Sequence, residues 1–121
     1  VTVDYEEIKK WQKAMCIARR KLQTLVKSAG HAYQVIELDS DRRKRLLARY
    51  KKRYLDEGKS NADADTLARA DDQYGKELDE WADGLEAAFT VRKDWEATQA
   101  KLEAARSLHS VARAVVERFK E

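Results

Sequence analysis

Apolar or small residues fall at alternating intervals of three and four along the first part of the chain: Ile8, Trp11, Met15, Ala18, Leu22, Leu25, Ala29, Ala32 and Ile36. That is the seam of a coiled coil carried through four heptads. A second run takes in Tyr74, Leu78, Trp81, Leu85, Ala88, Val91, Trp95, Thr98, Leu102, Ala105, Leu108, Ala112, Val115 and Phe119. Its two consecutive three-residue steps, Leu85 to Ala88 to Val91, are a stammer that locally overwinds a coil. The pattern predicts an all-α chain forming one domain over 1–121. A helix over about 4–57, a short connecting helix over about 62–70 and a helix over about 72–119 build a long antiparallel hairpin. At about 1.5 Å per residue the two long arms each reach roughly 75 Å, and matched arms favour antiparallel pairing.

Punctuation agrees with that division. Asp4-Tyr5-Glu6-Glu7 has the layout of a capping box at the start of the first helix. The seam then meets Asp39-Ser40-Asp41, where Asp39 and Arg43 occupy positions that should be apolar, and resumes through Leu46 or Leu47, Tyr50 and Tyr54. A shifted register is expected over 39–43, with a break there as the alternative. Glu57-Gly58-Lys59-Ser60-Asn61 is the turn-forming cluster, with Gly58 placed as a C-terminal cap. Asp71 or Asp72 is placed to cap the last helix.

Composition sharpens the picture. The chain has 121 residues, no proline and 39% charged residues, which suits long exposed helices. Each arm of a hairpin buries only a stripe, so dimerisation into a helical bundle is the expected means of enlarging the core. Cys16 is the single cysteine, so an intramolecular disulfide and a zinc-finger site are excluded. No apolar stretch is long enough to cross a membrane, and no signal-peptide layout opens the chain, so a cytoplasmic protein is expected.

The charge is segregated although the net value is only +3. Between Asp41 and Tyr54 stand Arg42, Arg43, Lys44, Arg45, Arg49, Lys51, Lys52 and Arg53, eight bases against one acid. Such density, interleaved with Tyr50 and Tyr54, suits a phosphate backbone or an acidic protein surface. Arg42, Arg43, Lys44, Arg45, Arg49, Lys52 and Arg53 are the candidate contacts. Eleven acids against three bases follow between Asp56 and Glu86. They admit two readings: pairing with the basic block inside the hairpin, or, through Asp71, Asp72, Asp79, Glu80, Asp83 and Glu86, an acidic face for a basic partner. His31 and His109 have no ligand-spaced neighbours, and no Gly-rich phosphate loop or nucleophile–histidine arrangement is present. No enzyme activity, metal or cofactor is expected.

Ala62-Asp63-Ala64-Asp65-Thr66-Leu67-Ala68-Arg69-Ala70-Asp71, leading to Tyr74, and Ala105-Arg106-Ser107-Leu108-His109-Ser110-Val111-Ala112-Arg113 resemble segments of small helical proteins encoded by tailed bacteriophages. The resemblance implies an accessory protein of phage or prophage origin in the bacterial cytoplasm, and carries over no catalytic residues. The leading expectation is a homodimeric accessory protein that binds a nucleic-acid-processing complex, such as a replication or recombination factor or a host defence nuclease that it inhibits. Direct DNA or RNA binding by the basic block is the second reading. A structural coiled-coil scaffold of virion assembly is the third.

Overall fold

A computed structural model describes residues 5–119, and every element among them is an α-helix: α1 (Tyr5–Glu37), α2 (Asp39–Asp56), α3 (Asn61–Ala70) and α4 (Asp72–Phe119). None is long and apolar enough to cross a membrane. Asp4, the expected cap of the first helix, lies outside the described residues. Glu7, its expected partner, accepts instead from the Trp11 indole N–H at 3.1 Å.

The first helix does not run unbroken to 57. Leu38 separates α1 from α2 with φ −88° and ψ 0°, and no side chain caps the new start. Hydrogen bonding crosses the break, Leu38 N–H donating to the Gln34 carbonyl and Arg42 N–H to the Leu38 carbonyl, both at 3.0 Å. The break falls where Asp39 and Arg43 interrupt the apolar seam, so the chain changes register without losing its backbone bonds.

α2 ends in a Schellman arrangement. Lys59 N–H reaches the Tyr54 carbonyl at 3.2 Å and Gly58 N–H the Leu55 carbonyl at 3.0 Å. Gly58 holds φ +90°, a conformation in which a Cβ would be strained. Two residues later the Ser60 hydroxyl accepts from Asp63 N–H at 3.2 Å and opens α3. Asp71 serves both neighbours. Its N–H bonds the Ala68 carbonyl at the end of α3, and its Oδ1 accepts from Gln73 and Tyr74 N–H at 2.9 and 3.3 Å at the start of α4.

Two compact units divide the fold, one from the chain up to Ala29 with the chain from Val91 on, the other Gly30–Thr90. In the first, Lys21 pairs with Asp94 at 2.9 Å, and Tyr5, Ile8 and Gln12 share a small groove with His109, Arg113, Val116 and Glu117. Low numbers on α1 thus meet high numbers on α4, so the two segments run antiparallel. Both partners of the ion pair are nearly half exposed, so it contributes at most about 1 kcal/mol. The α1 seam positions are all buried or half-buried.

The α4 seam departs from the expected one at its end. Leu108, Val115 and Phe119 are 42, 49 and 50% exposed, whereas Val116 is 5% exposed and His109 is half-buried. The inner positions are Ala105, His109, Ala112 and Val116, which keep strict alternation of four and three. His109 therefore occupies an inward position, and its Nε2 is buried with no hydrogen-bond partner among the described residues. Cys16, next to the seam residue Met15, is exposed.

The second unit packs α2, α3 and the start of α4 around Tyr50, Ala68 and Tyr74, with Leu46, Leu47, Tyr54 and Leu78 against them. Ala64 and Ala68, one turn apart on α3, are fully buried, so methyl-sized side chains let this helix approach closely.

Candidate binding groove

The site is built on α2, and two tyrosines set its register. Tyr50 O–H donates to Glu77 Oε2 at 2.6 Å, and one turn on Tyr54 O–H donates to Asp71 Oδ2 at 2.7 Å. Both hydroxyls are held protonated above the ordinary tyrosine value, first by these bonds to carboxylates and then by burial. Asp71 is shifted the other way. The Tyr54 hydroxyl, helped by the Tyr74 and Gln73 amides and by Arg53, lowers its carboxyl below the usual range against an opposing effect of burial.

With that register fixed, Arg42, Arg43, Arg45 and Arg49 form one wall of an open groove of about 580 Å³, Leu46 lies among them, and Glu77, Glu80 and Trp81 of α4 complete the lining. Trp81 is half-buried, its indole N–H donates to Asp39 Oδ1, and the Arg42 guanidinium sits 5.0 Å from the ring centroid. Arg43 pairs with Asp39 at 3.1 Å through its Nε. Arg45 and Arg49 make no ion pair among the described residues.

The expected contacts thus separate. Arg42, Arg43, Arg45 and Arg49 come together. Lys44 and Lys52 are exposed outside the groove. Arg53 stands 4.8 Å over the Tyr50 ring and acts on Asp71, so it serves the tyrosine–carboxylate cluster. On the acidic side, Asp71 is committed to capping α4 and to Tyr54, Glu80 lines the groove, and Asp72, Asp79, Asp83 and Glu86 are exposed and outside it. Among the described residues no acid between 56 and 86 forms an ion pair with the basic block. Asp65 bonds Arg69 on its own helix, and Glu77 and Asp71 meet tyrosines.

Trp81, Leu46 and Glu77 are groove residues that the charge pattern does not reveal. Heptad spacing assigns Trp81 to the core. The signal that it would differ is Asp39, a carboxylate at a seam position, which meets the indole N–H. No group of three or more His, Cys, Asp or Glu side chains among the described residues is placed to hold a metal ion. Arginines in this setting can grip phosphate or carboxylate oxygens in pairs, and the indole and guanidinium planes can receive a flat group. Comparison with protein-family models, curated proteins and solved structures finds no match.

Proposed function

We propose that this protein is a non-enzymatic binding protein that docks through the groove side of α2 onto a polyanionic element of a nucleic-acid-processing complex, as a cytoplasmic accessory factor of phage or prophage origin. One observation carries the reading: four arginines are gathered at one groove, and among the described residues only Arg43 of these four is paired with a carboxylate although the unit is rich in acids. Paired charges would be needed for a block that serves only internal cohesion. An unpaired, pre-arranged set is suited to an external anion. The phage origin rests on the resemblance of the two alanine-rich segments alone.

Tagged protein passed through bacterial lysate, with and without nuclease treatment, is expected to recover a complex. A variant carrying R42E, R43E, R45E and R49E loses it while keeping its helical circular dichroism. Equal recovery by wild type and variant would overturn the proposal.

We infer that the antiparallel pairing belongs to a helical hairpin and that a second copy covers its outer α4 face. Leu108, Val111, Val115 and Phe119 are all at least 42% exposed and recur at intervals of three and four, a pattern that an identical helix matches knob to hole. Sedimentation should show a dimer for wild type and a monomer for V111E/V115E with unchanged helicity. A wild-type monomer across the micromolar range would exclude the dimer.

A further inference from the structure

The groove has a composition that a simple phosphate grip does not require, and its parts define a more specific ligand. Arg45 and Arg49, one turn apart on α2, have no carboxylate partner among the described residues and supply charge for phosphate. Leu46 adds an apolar surface to the lining, and Trp81 of α4 brings its indole to the groove with the Arg42 guanidinium over the ring. Planar aromatic and guanidinium groups beside an arginine pair are the surfaces on which unpaired bases stack. The volume of about 580 Å³ lies within the range of roughly 300–1,000 Å³ typical of small-ligand pockets. It admits a base with its sugar. A duplex keeps its bases paired and stacked, so it has no free base to place in such a recess.

The two carboxylates then distinguish among bases. Glu77 is engaged by the Tyr50 hydroxyl. Glu80 is exposed at the groove and makes no ion pair among the described residues, so it is available as an acceptor. Beside an arginine wall a carboxylate weakens the hold on any anion, and it is compensated where the ligand also brings an N–H donor. Cytosine brings one in its exocyclic amine, and thymine presents a carbonyl oxygen at the same place.

We propose that the groove is a single-strand site. It lodges one unpaired, amine-bearing base against Leu46, Trp81 and Glu80, and holds the adjoining phosphates with Arg45 and Arg49. The proposal rests on the reading of the α2 arginines as a polyanion-binding face and adds to it the class of polyanion and the base chemistry.

The test is fluorescence anisotropy of the full chain with labelled (dC)12, (dT)12 and a duplex of mixed sequence, across a salt series. Wild type should bind (dC)12 most tightly, by about fivefold or more over (dT)12. R45A/R49A should lose at least about tenfold, and the slope of log affinity against log salt should fall by about 1.4, the share of two single-strand phosphates. K44A/K52A removes the same charge from the same helix outside the groove and should lose less than about threefold at a nearly unchanged slope. E80Q should erase the preference for (dC)12, and as a same-sized replacement at an exposed position it leaves the fold in place.

Equal losses in the two double variants, equal binding of (dC)12 and (dT)12 by wild type, or tighter binding of the duplex would each overturn the single-strand site. Should no oligonucleotide bind while lysate capture still depends on the four arginines, this inference fails and the proposed function stands. Should capture itself ignore those arginines, the proposed function fails.

Discussion

Tyr74→Ala is expected to remove about 3–5 kcal/mol of folding free energy, the largest single loss in the Gly30–Thr90 unit. Tyr74 is 7% exposed, and its ring lies 5.5 Å from that of Tyr50, tilted by 59°. It occupies the place where α2, α3 and α4 converge, with Ala68 of α3 fully buried beside it. Alanine there leaves a cavity. Neither neighbouring helix can close it easily, because Tyr50 is tied to Glu77 and Tyr54 to Asp71. Domains of this size have only about 5–15 kcal/mol in total, so the variant is close to unfolding. Thermal melts should show Tm lowered by more than about 10 °C. Tyr74→Phe keeps the ring and should lie within about 1 kcal/mol of wild type. A small effect of the alanine variant would mean that the three helices are not held around this ring.

The same convergence explains how the groove is positioned. Arg42, Arg45 and Arg49 ride on α2, and Glu77, Glu80 and Trp81 on α4, so their relative placement depends on the register between the two helices. Tyr50 and Tyr54 fix that register by direct hydrogen bonds to Glu77 on α4 and to Asp71, which caps its start. Core and site are therefore coupled. A change that lets α2 slide along α4 would misplace the arginine wall even if every arginine remained.

Much of this was legible from spacing. The α1 seam from Ile8 to Ile36 faces inward at every expected position, because each is apolar or small and the three–four alternation is unbroken. Asp39 and Arg43, polar at seam positions, marked the place where the chain divides at Leu38. The α4 seam was readable to Ala105 and again at Ala112, and was misassigned at Leu108, Val115 and Phe119. There strict alternation requires His109, and the neighbouring Leu108 looked the better core residue. Geometry prevails over residue type at that point, since a helix cannot rotate one residue for the sake of a leucine while its neighbours stay packed.

The groove was half legible. A run of bases announces a charged surface, but which bases share a face with an indole depends on tertiary register. Arg53 went to the tyrosine cluster and Trp81 to the groove for that reason. Asp71 shows the same limit. Its place before the last helix marks it as a cap, which it is, but its bond to the Tyr54 hydroxyl is revealed only by the fold.

Asp71→Ala is expected to be the most damaging substitution of a charged residue. It removes at once the acceptor for the Gln73 and Tyr74 amides and the acceptor for the Tyr54 hydroxyl. The first loss frays the start of α4. The second frees α2 from its register and leaves a half-buried hydroxyl without its carboxylate. Asp71→Asn separates the two, because an asparagine oxygen still caps a helix while its neutral amide holds the tyrosine hydroxyl less strongly.

Acidity then supplies an independent check. The Asp71 carboxyl is lowered from its ordinary value of 3.8, so its contribution is fully present above that value and is lost as pH falls through the lower folded one. Tyr50 and Tyr54 are raised above their ordinary value of 10.0, so their contribution is present below pH 10.0 and is lost as pH rises through the higher folded values. Urea melts of wild type and Asp71→Asn across the acid range should differ most near neutrality and converge as pH falls below 3.8 and through the lower folded value. A difference that stays constant from neutral to acid pH would show that Asp71 acts as a neutral cap alone, with no charge-assisted hold on Tyr54.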